Sequence, residues 1–318
     1  MTLDVKYKIP VKEWMKDPFV QKMFACLQGN IPEEEPQLLF VGGCVRNALL
    51  AREVDDIDLT TPLEPDAITQ ILEKEDIKVI PTGLKHGTVT LVNEGVRYEI
   101  TTLRRDEKTD GRHAQVAFTD SWEEDVKRRD FTLNTLLMDL RGNIYDPLGC
   151  GIEDAQKQVV RFVGDADTRI KEDYLRILRF FRFSVYYAKS YDEEGLKACQ
   201  RGANGIKNLS KERITQEFLK ILTADNPHIV LEKMFYHNVL SDLPPQEFDI
   251  KLLEHVCTFQ KSYRLQALNA RLLVLAAMEP KKIKALEHYL LLPKVFIKDI
   301  GCIKNALNLS DLSCDSAI

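Results

Sequence analysis

The stretch LLFVGGCVRNALLAREVDDIDLTT, residues 38–61, decides the fold. Leu38 to Val41 form an apolar run of strand length that ends in Gly42-Gly43. A helix-like segment from Cys44 to Glu53 follows, and then the β-rich DIDLTT of residues 56–61. A glycine pair at a strand-to-helix turn lets backbone amides approach a phosphate, with the helix N-terminus behind it. Asp56 and Asp58 stand at i and i+2 of the second strand, so their carboxylates point to the same face. Such a pair can share divalent cations. Metals held about 3.5–4 Å apart activate an attacking hydroxyl and stabilise the oxyanion that leaves. Oxygen-only ligands suit Mg²⁺, which keeps part of its shell for substrate phosphates. The plainer alternative is a glycine turn and an acidic strand end on a solvated face. The glycine pair upstream of the two aspartates weighs against it.

Outward from this stretch, IKVIP (77–81), HGTVTLV (86–92) and VRYEITTL (96–103) are further β-rich runs. Asn93-Glu94-Gly95 supplies a hairpin turn between the last two. From about Asp167 the pattern changes. KEDYLRILRFFRFSVYY (171–187), KERITQEFLKIL (211–222) and the segments after them carry apolar residues at helical spacing, and strand signals nearly vanish. The expected class is α+β: a head with a small mixed sheet, then an all-helical neck and body. The expected divisions are 1–165, 166–222 and 223–318.

Composition narrows the field. Apolar residues make up 44% and charged residues 29% of the 318, as in an ordinary globular chain. No apolar run approaches the roughly 20 residues of a membrane span, and MTLDVKYKIP at the start has no apolar or arginine-rich targeting character. Seven cysteines without a C-x-x-C pair argue against a disulfide framework or zinc ribbon, and fit a reducing cytosol. The net charge of −5 is unevenly placed: residues 251–318 hold ten Lys/Arg against six Asp/Glu. A nucleic-acid partner is therefore not excluded.

Two more constellations carry chemistry. Ser121-x-x-Glu124 is a capping box that starts a short helix, and Arg128-Arg129-Asp130-Phe131-Thr132-Leu133-Asn134 follows it. Adjacent guanidiniums match phosphate oxygens, and an acid beside them suits a ribose hydroxyl. A surface salt-bridge cluster would look the same. In residues 172–183, Asp173, Arg176, Arg179 and Arg182 recur every three residues and form one helical stripe, opposite the apolar Leu175, Ile177, Leu178, Phe181 and Phe183. By itself that stripe also fits an Asp–Arg pair on a solvated basic face.

Together these pieces resemble the class II tRNA nucleotidyltransferase (CCA-adding enzyme) and bacterial poly(A) polymerase family, over roughly residues 36–222. LLFVGGCVRNALL with DDIDLTT is similar to motif A, RRDFTLN to motif B, KEDYLRILRFFRF to motif D and LSKERITQEFLKIL, with Glu212, Arg213 and Glu217, to motif E. The resemblance implies a nucleotidyltransferase head at 1–165, a neck with a nucleotide-templating helix at 166–222, and a tRNA-binding body at 223–318. It implies Asp56 and Asp58 as metal-binding catalytic carboxylates, with Glu99 a weaker third. Gly43, Arg46 and Arg129 would contact phosphates and sugar. Asp173 and Arg176 would read the base edge, with Arg179 and Arg182 completing the pocket. Mg²⁺ is the implied cofactor, CTP and ATP the substrates, and tRNA the partner. The compartment is the cytoplasm, and no membrane or protein partner is implied.

The readout has a physical basis. Cytosine and adenine each present an amine beside a ring-nitrogen acceptor, which a carboxylate and a guanidinium complement. Uracil and guanine put a carbonyl in front of the carboxylate, and a site built for a donor rejects its absence by roughly 10⁴-fold or more.

Within the family, poly(A) polymerases carry a different stretch where this chain has Gly83-Leu84-Lys85-His86-Gly87-Thr88-Val89. CC-only enzymes lack the flexible loop that residues 103–120 supply here, with Asp110-Gly111 at its turn and 103–115 expected to act as a mobile lever. Full CCA addition and A addition alone both remain open at this stage, with a catalytically silent RNA-binding module as the reading from another class. Two departures stand out: Asn47 where the family has Asp, and Ala51 where it has Gly. Toward the C-terminus, Lys281, Lys282, Lys284, Lys294, Lys298 and Lys304 supply charge for RNA, or a solvated helical face.

Overall fold

The computed structural model describes residues 3–83, 87–110, 113–240, 248–265, 267–276 and 279–292, with single positions at 294, 297, 298, 301 and 302. The chain divides into two compact units, Met1–Glu172 and Asp173–Ile318.

In the first unit the elements run β1 (Val5–Lys8), α1 (Pro18–Gln28), β2 (Leu39–Val41), α2 (Gly43–Leu49), β3 (Ile57–Thr61), α3 (Pro65–Lys74), β4 (Val79–Gly83), β5 (Thr88–Asn93), β6 (Val96–Thr102), β7 (Arg104–Asp110), β8 (His113–Phe118), α4 (Trp122–Lys127), β9 (Leu137–Met138), β10 (Asn143–Tyr145), α5 (Gly151–Lys157) and α6 (Ala166–Glu172). Eight strands form one sheet in the order β1-β10-β9-β2-β3-β6-β5-β4. All its pairings described are antiparallel except β3–β6, which makes the sheet mixed as expected.

Strand β2 shows why the sheet lies where it does. All three of its residues are buried, so it is covered on both faces. Leu39 and Val41 join Leu103, Trp122, Val126, Leu137 and Tyr145 in one core cluster. Phe40 points the other way, its ring 4.8 Å from those of Trp14 and Phe24. Phe24 comes from α1, which buries Val20, Met23, Phe24 and Leu27 at helical spacing. Pro18 opens that helix, and Asp17 caps it by accepting from the amides of Phe19 at 2.8 Å and Val20 at 3.3 Å. The β5–β6 connection is the expected hairpin. Glu94 and Gly95 both take positive φ, 50° and 84°, the geometry of a two-residue turn that matches strand twist.

One expectation is corrected. The stretch 103–120, read as a loop, contains β7 and β8, which pair antiparallel with Arg104 opposite Phe118 and Asp110 opposite His113. The pairing left no sequence signal because RRDEKTD has no apolar alternation. Gly111, part of the expected turn, lies outside the described residues, as do Leu84, Lys85, His86 and Lys304.

The second unit is helical: α7 (Leu175–Tyr187), α8 (Glu193–Gly202), α9 (Lys211–Thr223), α10 (Pro227–Tyr236), α11 (Ile250–Ser262), α12 (Leu268–Leu275) and α13 (Pro280–Tyr289). Helix α7 packs on α9 and α10, burying Ile177, Leu178, Phe180 and Phe181 together with Phe218, Ile221, Leu231 and Met234. Arg271 of α12 ties off the end of α9, its Nη1 donating to the carbonyls of Leu222 and Ala224 at 2.5 and 2.7 Å. Among the described residues, no helix is long and apolar enough to cross a membrane.

Candidate active site

In the first unit, β2 delivers the chain to Gly42 at φ +70°, the N-cap of α2. A Cβ added at Gly42 would sit 3.4 Å from Nη1 of Arg129, and one at Gly43 would sit 3.7 Å from Nη2 of Arg46. The glycine turn thus lies bare beside two guanidiniums. Arg46 is itself 5% exposed. Its Nη1 donates to Asn134 Oδ1, and its Nε and Nη2 donate to Asn47 Oδ1 at 3.2 and 3.1 Å. Asn134 donates in turn to Asp130 Oδ1 at 3.1 Å. RRDFTLN therefore holds the arginine of the glycine helix, a support role that the sequence reading did not assign to Asp130 or Asn134.

Asp125 is a second residue that reading missed. Its carboxylate is fully buried in α4 and receives Nη2 of Arg128 at 2.7 Å and Nη2 of Arg129 at 3.0 Å. Burial alone would push the carboxyl up, but the charges of Arg129 and Arg128 and their hydrogen bonds hold it below the usual range. The available signal was its i, i+3 and i, i+4 spacing to the two arginines. The expected capping box is present in part. Ser121 Oγ accepts from the Glu124 amide at 3.4 Å, while the Glu124 carboxylate takes its bond from Thr119 Oγ1 at 2.5 Å.

The acidic residues gather on β3 and β6. Asp58 is directly opposite Glu99 across the parallel pair, and Asp56 is exposed one residue before the strand. The Asp58 carboxyl is pushed above its ordinary value by burial and by Glu99, with Asp56 adding to the effect and Arg129 opposing it. Glu99 is partly neutralised by Arg97, whose Nη2 lies 2.6 Å away. Among the described residues, no three acid, histidine or cysteine side chains converge to enclose a metal by themselves. The Asp58 carboxylate, half-buried and crowded by like charge, is of the kind that a divalent cation relieves. Cys44 does not compete: burial and Asp58 push its thiol up to about 12, so it stays protonated.

In the second unit, α7 presents the basic stripe as read. Arg176, Arg179 and Arg182 are half-buried in a row while Leu175, Ile177, Leu178, Phe180, Phe181 and Phe183 are buried. The helix nevertheless starts later than the periodicity implied. Asp173 stands before its first turn and accepts from the Leu175 amide at 3.1 Å, the local bond by which aspartate interrupts a helix. Its other oxygen takes Nη2 of Arg213, from α9, at 2.7 Å. Arg182 is engaged by the buried Glu217 through a 2.5 Å Nε bond, with Arg179 at 3.7 Å from the same carboxylate. The guanidinium of Arg182 also lies 4.4 Å from the Phe183 ring centre. Tyr174, beside Asp173, covers Gly205 so closely that a Cβ there would be 2.1 Å from its ring.

Comparison with known proteins places this geometry. Residues 38–161 match the family described as Poly A polymerase head domain, and 191–248 match "Probable RNA and SrmB- binding site of polymerase A". The CCA-adding enzyme of Geobacillus kaustophilus is 33% identical over 296 residues, which is 92% of this chain and 72% of that protein. The chain belongs to the CCA-adding enzyme family. A second relative, CCA tRNA nucleotidyltransferase 1, mitochondrial, of Homo sapiens, is 38% identical over 227 residues, 68% of this chain. The chain spans 47% to 52% of the length of such vertebrate family members. Among solved structures of the family, the Bacillus stearothermophilus CCA-adding enzyme in complex with CTP is 30% identical. It superposes with a TM-score of 0.74, covering 92% of this chain and 71% of that one.

Proposed function

We propose that the protein is a Mg²⁺-dependent tRNA nucleotidyltransferase that adds C, C and A to the tRNA 3′ end from CTP and ATP, releasing pyrophosphate. The observation that carries this reading is the β3–β6 acidic pair, Asp58 beside Glu99 with the exposed Asp56 just before β3, together with Arg129 and the bare Gly42-Gly43 turn.

Asp56 and Asp58 would hold the metal, which when bound makes the attacking ribose hydroxyl more acidic and offsets charge on the phosphates. Arg46 and Arg129 orient the triphosphate, and each is fixed in advance by acceptors of the head, so little ordering is left for the moment of binding. In the helical unit, Asp173 accepts from the amine of cytosine or adenine and Arg176 donates to the ring nitrogen. Arg179 and Arg182 steady that row through Glu217. The exposed lysines 281, 284, 294 and 298 supply phosphate contacts for tRNA. Lys282 contributes less, being paired with Glu279 at 2.9 Å. The six described cysteines are free thiols, which supports a reducing compartment such as the cytoplasm.

The test is incubation of the purified protein with Mg²⁺, labelled CTP or ATP, and tRNA lacking 3′ nucleotides. Complete CCA ends are expected. Addition of A only, and only to tRNA ending in CC, would replace this reading with that of an A-adding enzyme. Absence of any transfer would mark a silent RNA-binding module.

A further inference from the structure

The two departures of the glycine helix meet in one turn. Helix α2 ends with the Arg52 amide donating to the Asn47 carbonyl at 2.8 Å and the Ala51 amide to the Ala48 carbonyl at 3.3 Å, the paired bonds of a Schellman cap. That cap needs a left-handed residue, and here it is Ala51 at φ +52°. Glycine takes this conformation freely, whereas alanine brings its Cβ close to a carbonyl oxygen. The strained turn leads directly into residues 52–56 and so to Asp56.

The Asn47 side chain spans the turn. Asn47 Nδ2 donates to the Glu53 carbonyl at 2.8 Å, and its Oδ1 accepts from Nε and Nη2 of Arg46. The carboxamide therefore spends its donor on the approach to Asp56 and its acceptor on the arginine beside Gly43. An aspartate of the same shape would keep Arg46 but has no proton for Glu53, and would turn an oxygen toward that carbonyl.

We propose that Asn47 is a positioning residue that fastens residues 52–56 to the helix carrying Arg46, and so holds Ala51 in its left-handed conformation. The proposal rests on the reading that Asp56 serves the metal and Arg46 the nucleotide. Its structural half, the coupling of positions 47 and 51, stands independently of that reading.

The experiment compares wild type, Asn47→Asp, Ala51→Gly and the double variant. The measurements are kcat and KM for CTP on tRNA lacking 3′ nucleotides, together with urea unfolding. Asn47→Asp should leave KM within about twofold, because Arg46 keeps its acceptor. It should lower kcat about fivefold, the equivalent of one ordinary hydrogen bond. Ala51→Gly alone should leave kcat unchanged. In the Asn47→Asp background it should restore most of the lost kcat, since glycine holds the turn without a tether. The unfolding effects of the two changes should be non-additive. An unaltered kcat in Asn47→Asp, or a loss that Ala51→Gly does not rescue, overturns the proposal. If no protein transfers nucleotide, wild type included, the functional reading falls and the unfolding cycle decides the tether: coupling supports it, additivity overturns it.

Discussion

Nη2 of Arg213 donates to Oδ2 of Asp173 at 2.7 Å, so the carboxylate assigned to base readout is steadied by an arginine 40 residues further along the chain. The Leu175 amide holds the other oxygen at 3.1 Å. Asp173 is thus fixed at both oxygens by groups of its own unit, which is the preorganisation that a selective acceptor needs. In the proposed complex, an arginine placed this way would also compensate the carboxylate's charge against a neutral base.

Arg213→Ala should therefore weaken discrimination more than folding. The ratio of kcat/KM for CTP over UTP is expected to fall about tenfold, because a free carboxylate can rotate away from a facing carbonyl. Stability should drop by less than about 1 kcal/mol, as both partners are partly exposed. An unchanged ratio would leave Arg213 with a purely structural role.

Asp125 gives a pH dependence of known sign. Its folded-state value lies below the ordinary one, so ionisation stabilises the fold. This contribution is complete above the unfolded value of about 4 and disappears as pH falls through the lower folded value. Asp125→Asn should destabilise the protein by about 3 kcal/mol at neutral pH, because two arginines are left beside a neutral group. The gap between the two proteins should shrink below about pH 4. Urea unfolding at neutral and acidic pH checks both, and a gap independent of pH would contradict the assignment.

If the proposed reaction holds, the β7–β8 ribbon is expected to matter for addition of A and not for addition of C. CTP and ATP share an edge pattern but differ in size, so C and A addition need different geometries at the same readout residues. Deleting Thr109–Gln115 removes the end of the ribbon distant from Arg104 and Phe118. C addition should persist and the final A should be lost, read as the length of the products on a gel. An undiminished yield of complete CCA ends would show that the ribbon has no part in the switch.

Much of this was readable in the residues. LLFV, DIDLTT and the Glu94-Gly95 turn announced strands and a hairpin, because apolar runs and turn residues are local signals. The stripe of Arg176, Arg179 and Arg182 followed from helical period alone. What escaped was non-local or polar. Asp125, Asp130 and Asn134 act through partners, and Asn134 reaches Arg46 across 88 residues of sequence. The pairing of β7 with β8 had no hydrophobic alternation to betray it. The helix before Arg176 broke at Asp173 because a side-chain oxygen competed for the Leu175 amide, an event that periodicity does not register.

The central proposal is that the Asp56 and Asp58 carboxylates serve chemistry and not tRNA affinity. It is tested most directly by the single-turnover rate of CMP transfer in Asp58→Ala, measured beside the tRNA dissociation constant of the same preparation. The rate should fall at least about a hundredfold, while tRNA affinity, set by lysine and arginine contacts to phosphates, stays within about threefold of wild type. Transfer at near wild-type rate would remove Asp58 from the reaction and contradict the account.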